Sequence, residues 1–188
     1  MKWLKRILIG ILIVIGVILL FGLMLPSEYV IDRSVVVNTE PIYVAWFVDD
    51  LQQWPNWMPW YEMDPTIQVK YDERTKGVGA RQTWTGDSGN GEVAITKSGV
   101  TGIEYTMDLA GLVSESKINY EAVGDGTRIK WHMEGDVGAR IHYRYALLFG
   151  MREGIGALFD QGLNNLKTLA ETPLVEEEPT EEAEETSE

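Results

Sequence analysis

Residues 126–135 read GTRIKWHMEG, and residues 102–109 read GIEYTMDL. In the first stretch Ile129, Trp131 and Met133 alternate with Lys130, His132 and Glu134. In the second, Ile103, Tyr105, Met107 and Leu109 alternate with Glu104, Thr106 and Asp108. A period of two sends one set to a covered face and the other into water, which marks an antiparallel sheet wet on one side. Turn residues bound both stretches, and the punctuation recurs at Gly77, Gly79, Gly86-Asp87, Gly89-Asn90-Gly91, Ser98-Gly99, Gly111 and Gly124-Asp125-Gly126. The spacing predicts six strands from Thr66 onward, joined as a meander by hairpin-length turns.

Upstream, the β-branched stretch from Tyr29 to Val37 predicts a first strand. Asn38 or Thr39 is expected to cap a helix whose first turn holds Pro41. Val44, Phe47, Val48 and Leu51 then follow helical spacing. Pro55 and Pro59 interrupt QWPNWMPW, so a loop or a short irregular helix is expected there. Downstream, Gly138 to Leu147 reads equally as strand or helix. From Leu148, one long helix is predicted, with Met151, Ile155, Leu158 or Phe159, Gly162, Leu166 and Leu169 on its apolar face. Thr172-Pro173 ends it.

The ends of the chain differ from this middle. Ile7 to Leu25 is a run of nineteen uncharged residues. At ~1.5 Å per residue it spans roughly 28 Å, close to the hydrocarbon thickness of a bilayer. Lys2, Lys5 and Arg6 precede it and Glu28 and Asp32 follow, which predicts a single span with a cytoplasmic N-terminus and an extracytoplasmic domain, periplasmic or at the cell surface. The rival reading, a cleaved signal peptide, would have an unusually long hydrophobic region, and the exit LMLPSEY lacks an A-x-A-like cleavage site. With no cysteine, a lipid-modified lipoprotein is excluded. The stretch from Val175 to Glu188 has eight glutamates and no cation, and is expected to be a disordered acidic tail. The expected division is thus 1–26 for the anchor, 27–172 for the domain and 173–188 for the tail. The chain carries −13 overall. Residues 27–174 hold 13 basic and 21 acidic groups, which argues against nucleic acid and against broad docking on anionic lipid.

The expected order is strand, helix, broken helix, six strands, long helix, an α+β architecture. The one long amphipathic helix is the element able to cover the sheet's apolar face. If a curved sheet wraps that helix, a cavity can remain between them.

With these elements in order, the chain resembles the START-like, or SRPBCC, superfamily, which includes polyketide cyclase/dehydrase-like and pollen-allergen-like proteins. The likeness covers about Tyr29 to Glu171. It rests on RSVVVNTEP at 33–41, WPNWMPW at 54–60, GVGARQTWTG at 77–86, GTRIKWHMEG at 126–135 and GLNNLKTLAE at 162–171. The resemblance implies a helix-grip fold, a seven-stranded sheet around the C-terminal helix, and a ligand cavity beneath that helix. It names no reaction, because one fold hosts many functions.

On the strands, Trp84, Tyr105, Met107, Tyr120, Trp131 and Met133 are expected to line the cavity. The proline-broken loop would add Trp57 and Trp60, and the helix Arg152, Ile155 and Phe159. Each has a plainer reading. Trp54, Trp57 and Trp60 could form a lid, but buried aromatics more often fill a core. Arg152 lies at the edge of the apolar stripe and Arg144 on it; either could hold a ligand anion, but a long cation more often keeps its head in water. His132 falls on the polar phase and His142 in the ambiguous stretch. Two histidines and no cysteine are poor material for a zinc site. Gly77 to Ala80 lacks the Lys-Ser/Thr of a phosphate loop, and no nucleophile motif is present. No catalytic, metal or cofactor residue is assigned. The reading is a membrane-anchored domain that binds a hydrophobic, lipid-like or aromatic molecule. A small-molecule enzyme of the cyclase type, or a regulatory partner of another membrane protein, are its rivals.

Overall fold

The computed structural model of the protein describes residues 2–172. The expectation for the acidic tail lies outside them. The order is α1 (Lys2–Met24), β1 (Glu28–Val37), α2 (Pro41–Val48), a 3-10 turn (Leu51–Asn56), α3 (Pro59–Met63), then β2 (Gln68–Tyr71), β3 (Arg81–Thr85), β4 (Gly91–Gly99), β5 (Gly102–Leu109), β6 (Leu112–Val123) and β7 (Gly126–Asp136). Two helices close the chain, α4 (Ile141–Leu148) and α5 (Met151–Glu171).

All seven strands form one antiparallel sheet in the order β1-β7-β6-β5-β4-β3-β2. The six-strand meander is present, and β1 returns to its outer side against β7, from Glu28 opposite Asp136 to Val37 opposite Thr127. The predicted alternation fixes the faces. Ile103, Tyr105, Ile118, Tyr120, Ile129 and Trp131 are buried on the inner face. On the outer face, Asp32, His132, Lys117, Glu104 and Lys97 are neighbours across five strands. Glu104 pairs with Lys97 at 2.7 Å and Lys117 at 3.1 Å, while His132 Nδ1 lies 2.7 Å from Asp32. A solvated row of alternating charge is what the wet phase predicts, since opposite charges directly across strands attract.

The inner face is closed by α5, which buries Phe159, Leu163, Leu166 and Ala170. Gly162 permits this approach. A Cβ there would stand 3.1 Å from Trp131 Cζ3 and 3.2 Å from Pro59 Cδ, so even a methyl group would make these neighbours give way slightly.

Two expectations need correction, and one open reading is resolved. First, neither Asn38 nor Thr39 caps α2. The cap position is Glu40, with no side-chain cap bond, and the Asn38 amide donates instead to Glu171 Oε1 at 2.6 Å. Leu51 also falls outside α2, because the helix stops at Val48. Second, the long helix begins at Met151. Gly150 takes φ 108, a left-handed conformation natural to glycine, and the chain turns there. Leu148 belongs to α4 and is exposed. Third, the stretch left open between strand and helix is helical from Ile141 onward, and α4 packs along the C-terminal end of α1. The Tyr145 hydroxyl donates to the Ile18 carbonyl at 2.7 Å. Arg144 Nη1 donates to the carbonyls of Leu23 and Leu25 at 2.6 and 2.9 Å. The last carbonyls of a helix lack internal partners, and a guanidinium supplies them. Arg144 thus caps α1 and points neither into a cavity nor into bulk water. Gly22 makes the crossing possible, since a Cβ there would lie 2.9 Å from Tyr145 Cε2.

The two-residue turn between β5 and β6 has φ 52 at Ala110 and φ 83 at Gly111. Paired positive angles are those of the tight hairpin turn that favours Asn-Gly. Ala110→Asn is therefore expected to stabilise the domain by up to ~1 kcal/mol, because alanine alone carries a left-handed penalty of about that size. Thermal unfolding of the two proteins checks it.

Candidate functional site

Between the sheet and α5, at the end of the sheet where β1 begins, lies a cavity of about 240 Å³. The inner face of the sheet contributes Tyr29, Trp84, Met107, Ser114 and Met133, and Leu109 and Leu112 add the rim of the β5–β6 turn. Trp60 and Ile67 enter from α3 and the loop after it, and Ser88 from the β3–β4 turn. The first half of α5 supplies Met151, Ile155, Leu158 and Phe159.

The remainder of the grip is filled by aromatic rings in contact. Trp131 stacks on Phe159 with centroids 3.8 Å apart. Trp57 meets Trp131 edge-on at 5.5 Å, Trp54 meets Trp57 at 6.0 Å, and Trp54 meets Tyr105 at 5.0 Å. Their polar edges are satisfied: Trp131 Nε1 donates to the Tyr105 hydroxyl at 2.9 Å, and the indoles of Trp54 and Trp57 donate to the carbonyls of Val48 and Phe47. Satisfied indoles in edge-to-face packing make a dry, stable plug. It separates this cavity from a second, more open pocket at the other end of the sheet, bordered by Ala45, Asp49, Val100 and Tyr120.

Of the eleven residues expected to line a cavity, Trp60, Trp84, Met107, Met133, Ile155 and Phe159 border this one. Trp57, Tyr105 and Trp131 belong to the plug. Tyr120 lies at the opposite end, where its hydroxyl donates to the Asp49 carboxylate at 2.9 and 3.0 Å. Burial pushes Asp49 above the usual carboxylate range. Arg152 turns back to β1, and its Nη2 donates to the Glu28 carbonyl at 2.7 Å.

Sequence reasoning passed over Tyr29, Ile67, Ser88, Leu109, Leu112, Ser114, Met151 and Leu158 as lining residues. Tyr29 was legible as the inward phase of β1. Ser114 was not, because a serine on a covered face gives no hydrophobic signal.

The cavity wall is apolar apart from a few hydroxyls. Burial raises the Tyr29 phenol above its ordinary pKa, partly offset by the neighbouring Ser114 hydroxyl, so it remains a neutral hydrogen-bonding group. Among the described residues, the lining contains no carboxylate, amine or imidazole. Among the described residues, no group of three His, Cys, Asp or Glu is placed to share a metal ion. Such a wall can bury an apolar guest and offer it a hydroxyl.

Asp64 ties one side of the rim. Its Oδ2 accepts from the amide and hydroxyl of Ser88 at 2.8 and 2.6 Å, and Oδ1 accepts from the amide of Thr66 at 2.9 Å. The Ser88 and Thr66 hydroxyls and amides hold this carboxyl well below the usual range. A depressed pKa stabilises the fold above the unfolded-chain value of about 3.9 and is lost as pH falls through the folded value. Asp64→Asn is therefore expected to be less stable than the parent at neutral pH, with the gap closing as pH drops below about 4. Thermal unfolding of both proteins from about pH 2 to about pH 7 checks this. A constant gap would mean that the charge is immaterial.

Sheet, gripping helix and one-ended apolar hollow together define a helix-grip domain. The chain belongs to the family described as polyketide cyclase / dehydrase and lipid transport, whose profile matches residues 29–171. Solved structures share the fold at low identity. A protein from Chromobacterium violaceum is 19% identical with a TM-score of 0.55, covering 77% of this chain and 98% of its own. A hypothetical protein from Helicobacter pylori is 13% identical with a TM-score of 0.59, covering 77% and 89%. The di-domain ARO/CYC protein BexL of the BE-7585A biosynthetic pathway is 16% identical with a TM-score of 0.54, covering 79% of this chain and 52% of its own. No curated protein sequence matches the chain.

Proposed function

We propose that this protein binds a hydrophobic small molecule in the cavity under α5 and is held at a membrane by α1, with the domain on the extracytoplasmic side. The apolar hollow carries the reading. Its volume of about 240 Å³ exceeds the ~150 Å³ of a dry apolar cavity able to take up benzene, and falls below the ~300 Å³ at which drug-sized pockets begin. That volume matches one ring system or one segment of acyl chain as the part of the guest that is buried. The lining favours binding over catalysis, because it brings together no ionisable pair to share acid and base roles.

The anchor reading is supported by the length and composition of α1, the one helix among the described residues able to cross a membrane by those criteria. The contacts of Tyr145 and Arg144 with α1 support a retained helix, since a cleaved leader would leave both without these partners. The cations ahead of the run favour a cytoplasmic N-terminus.

Native mass spectrometry of the full chain released from nanodiscs tests the binding reading. Single-chain fatty acids of increasing length and one- to three-ring aromatics are offered as probes. One bound molecule per chain, with a size cut-off, is the expected result. No uptake across the whole panel would end it.

A further inference from the structure

The contact between α4 and α1 says how deep in a membrane α4 would sit. Tyr145 bonds to the carbonyl of Ile18, seven residues before Leu25, where the apolar run ends. At ~1.5 Å per residue that puts the tip of the Tyr145 side chain about 10 Å into the hydrocarbon, while the Arg144 guanidinium on the same helix stays at the end of the run, on the Leu23 and Leu25 carbonyls. Amphipathic segments that lie in a bilayer surface bury their apolar side by roughly 5–10 Å, so the depth matches. The surface near this contact is suited to it. Beyond Tyr145 the chain exposes Leu148 at 53% and Phe149 at 80%, with Phe149 stacked beside the Tyr145 ring. In water, two adjacent large apolar residues this exposed at a helix end keep apolar surface hydrated with little packing to offset it.

Charge agrees. Arg140 to Arg152 holds three arginines, one histidine and no carboxylate, within a domain that is acidic overall. Arg140 donates to the Gly111 carbonyl, Arg144 to the end of α1, and Arg152 to the Glu28 carbonyl. All three arginines therefore lie at the end of the sheet where β1 begins, the level of lipid phosphates if α1 spans the bilayer.

We propose that α4 and the corner Leu148-Phe149 are a second membrane contact, seated in the acyl-chain boundary of the outer leaflet beside α1. The inference rests on the reading of α1 as a span. Its consequence is orientation. Met151, Leu109 and Leu112 border the cavity at that same end of the sheet, so the apolar hollow is turned towards the lipid instead of bulk water. A guest can then pass from leaflet to cavity without crossing an aqueous layer.

The native chain has no cysteine, so single labels are unambiguous. The full chain is reconstituted in phosphatidylcholine–phosphatidylglycerol vesicles with a nitroxide at Phe149→Cys, at Ile15→Cys within the apolar run, or at Val100→Cys. Val100 is 94% exposed in the turn at the far end of the sheet. Collision with oxygen reports lipid, and collision with a water-soluble nickel chelate reports solvent. The Ile15 and Phe149 labels are expected to collide with oxygen and lose nickel collisions, while the Val100 label shows the reverse. A lipid-facing Ile15 label with a nickel-accessible Phe149 label would leave the span intact and overturn this inference. A Phe149 label shielded from both reagents would overturn it too, in favour of a second copy or a protein partner on this corner. An Ile15 label outside lipid would remove the span reading, and the inference with it.

Discussion

Replacing Trp131 by alanine is expected to lower the unfolding free energy by about 3–5 kcal/mol, the range for truncating a large buried aromatic. The ring is 1% exposed and stacks on Phe159, while Trp57 and Trp60 meet it at 5.5 and 6.0 Å. Its removal also leaves the buried Tyr105 hydroxyl without the indole donor. The site cannot collapse easily, because α5 is held against the sheet by Leu163 and Leu166 on one side and by the bond between Arg33 and Asp160 on the other. Denaturant unfolding of the full chain in detergent measures the loss. A loss under about 1 kcal/mol would mean the rings are not one packed core.

Ile155→Trp should act on the guest and spare the fold. Ile155 is half-buried on α5 and borders the hollow, so an indole there occupies the space proposed for the ligand. Affinity for a probe taken up by the parent is expected to fall at least ~10-fold, equivalent to about 1.4 kcal/mol. Tyr120→Phe, at the opposite end of the sheet, is expected to leave the same affinity unchanged. Stability supplies an independent check. Overfilling a packed core costs about 1–3 kcal/mol, whereas an indole entering a true void should cost less. Full destabilisation with no change in affinity would put the guest elsewhere.

The two substitutions probe one division, between rings that fill the grip and rings that border its open end. That division was not legible in the chain. Trp84 and Trp131 are the same residue type on the same inward strand phase, and the sequence treats them alike. One borders the cavity and the other is sealed, because α5 crosses the sheet where Gly162 allows contact with Trp131. Trp57 and Trp60 divide for a similar reason. The 3-10 turn holds the Trp57 indole on the Phe47 carbonyl, and α3 carries Trp60 past it to the rim. The arginines repeat the lesson, since Arg144 and Arg152 find carbonyl partners more than a hundred residues away.

What the chain did declare by itself was local and periodic. The two-residue alternation around Trp131 and Tyr105 specified which face of each strand is dry, since a one-residue slip would bury Lys130 and Glu104. The turn glycines set the strand count, the prolines at 55 and 59 broke the second helical segment, and Ile7 to Leu25 specified an apolar helix of spanning length. Tertiary structure decided the rest: the sharp turn at Gly150, the seating of α4 on α1, and the placing of the hollow at one end. Those outcomes depend on which surfaces meet across the fold and on the sign of a glycine φ, and neither is written in the spacing of apolar residues along the chain.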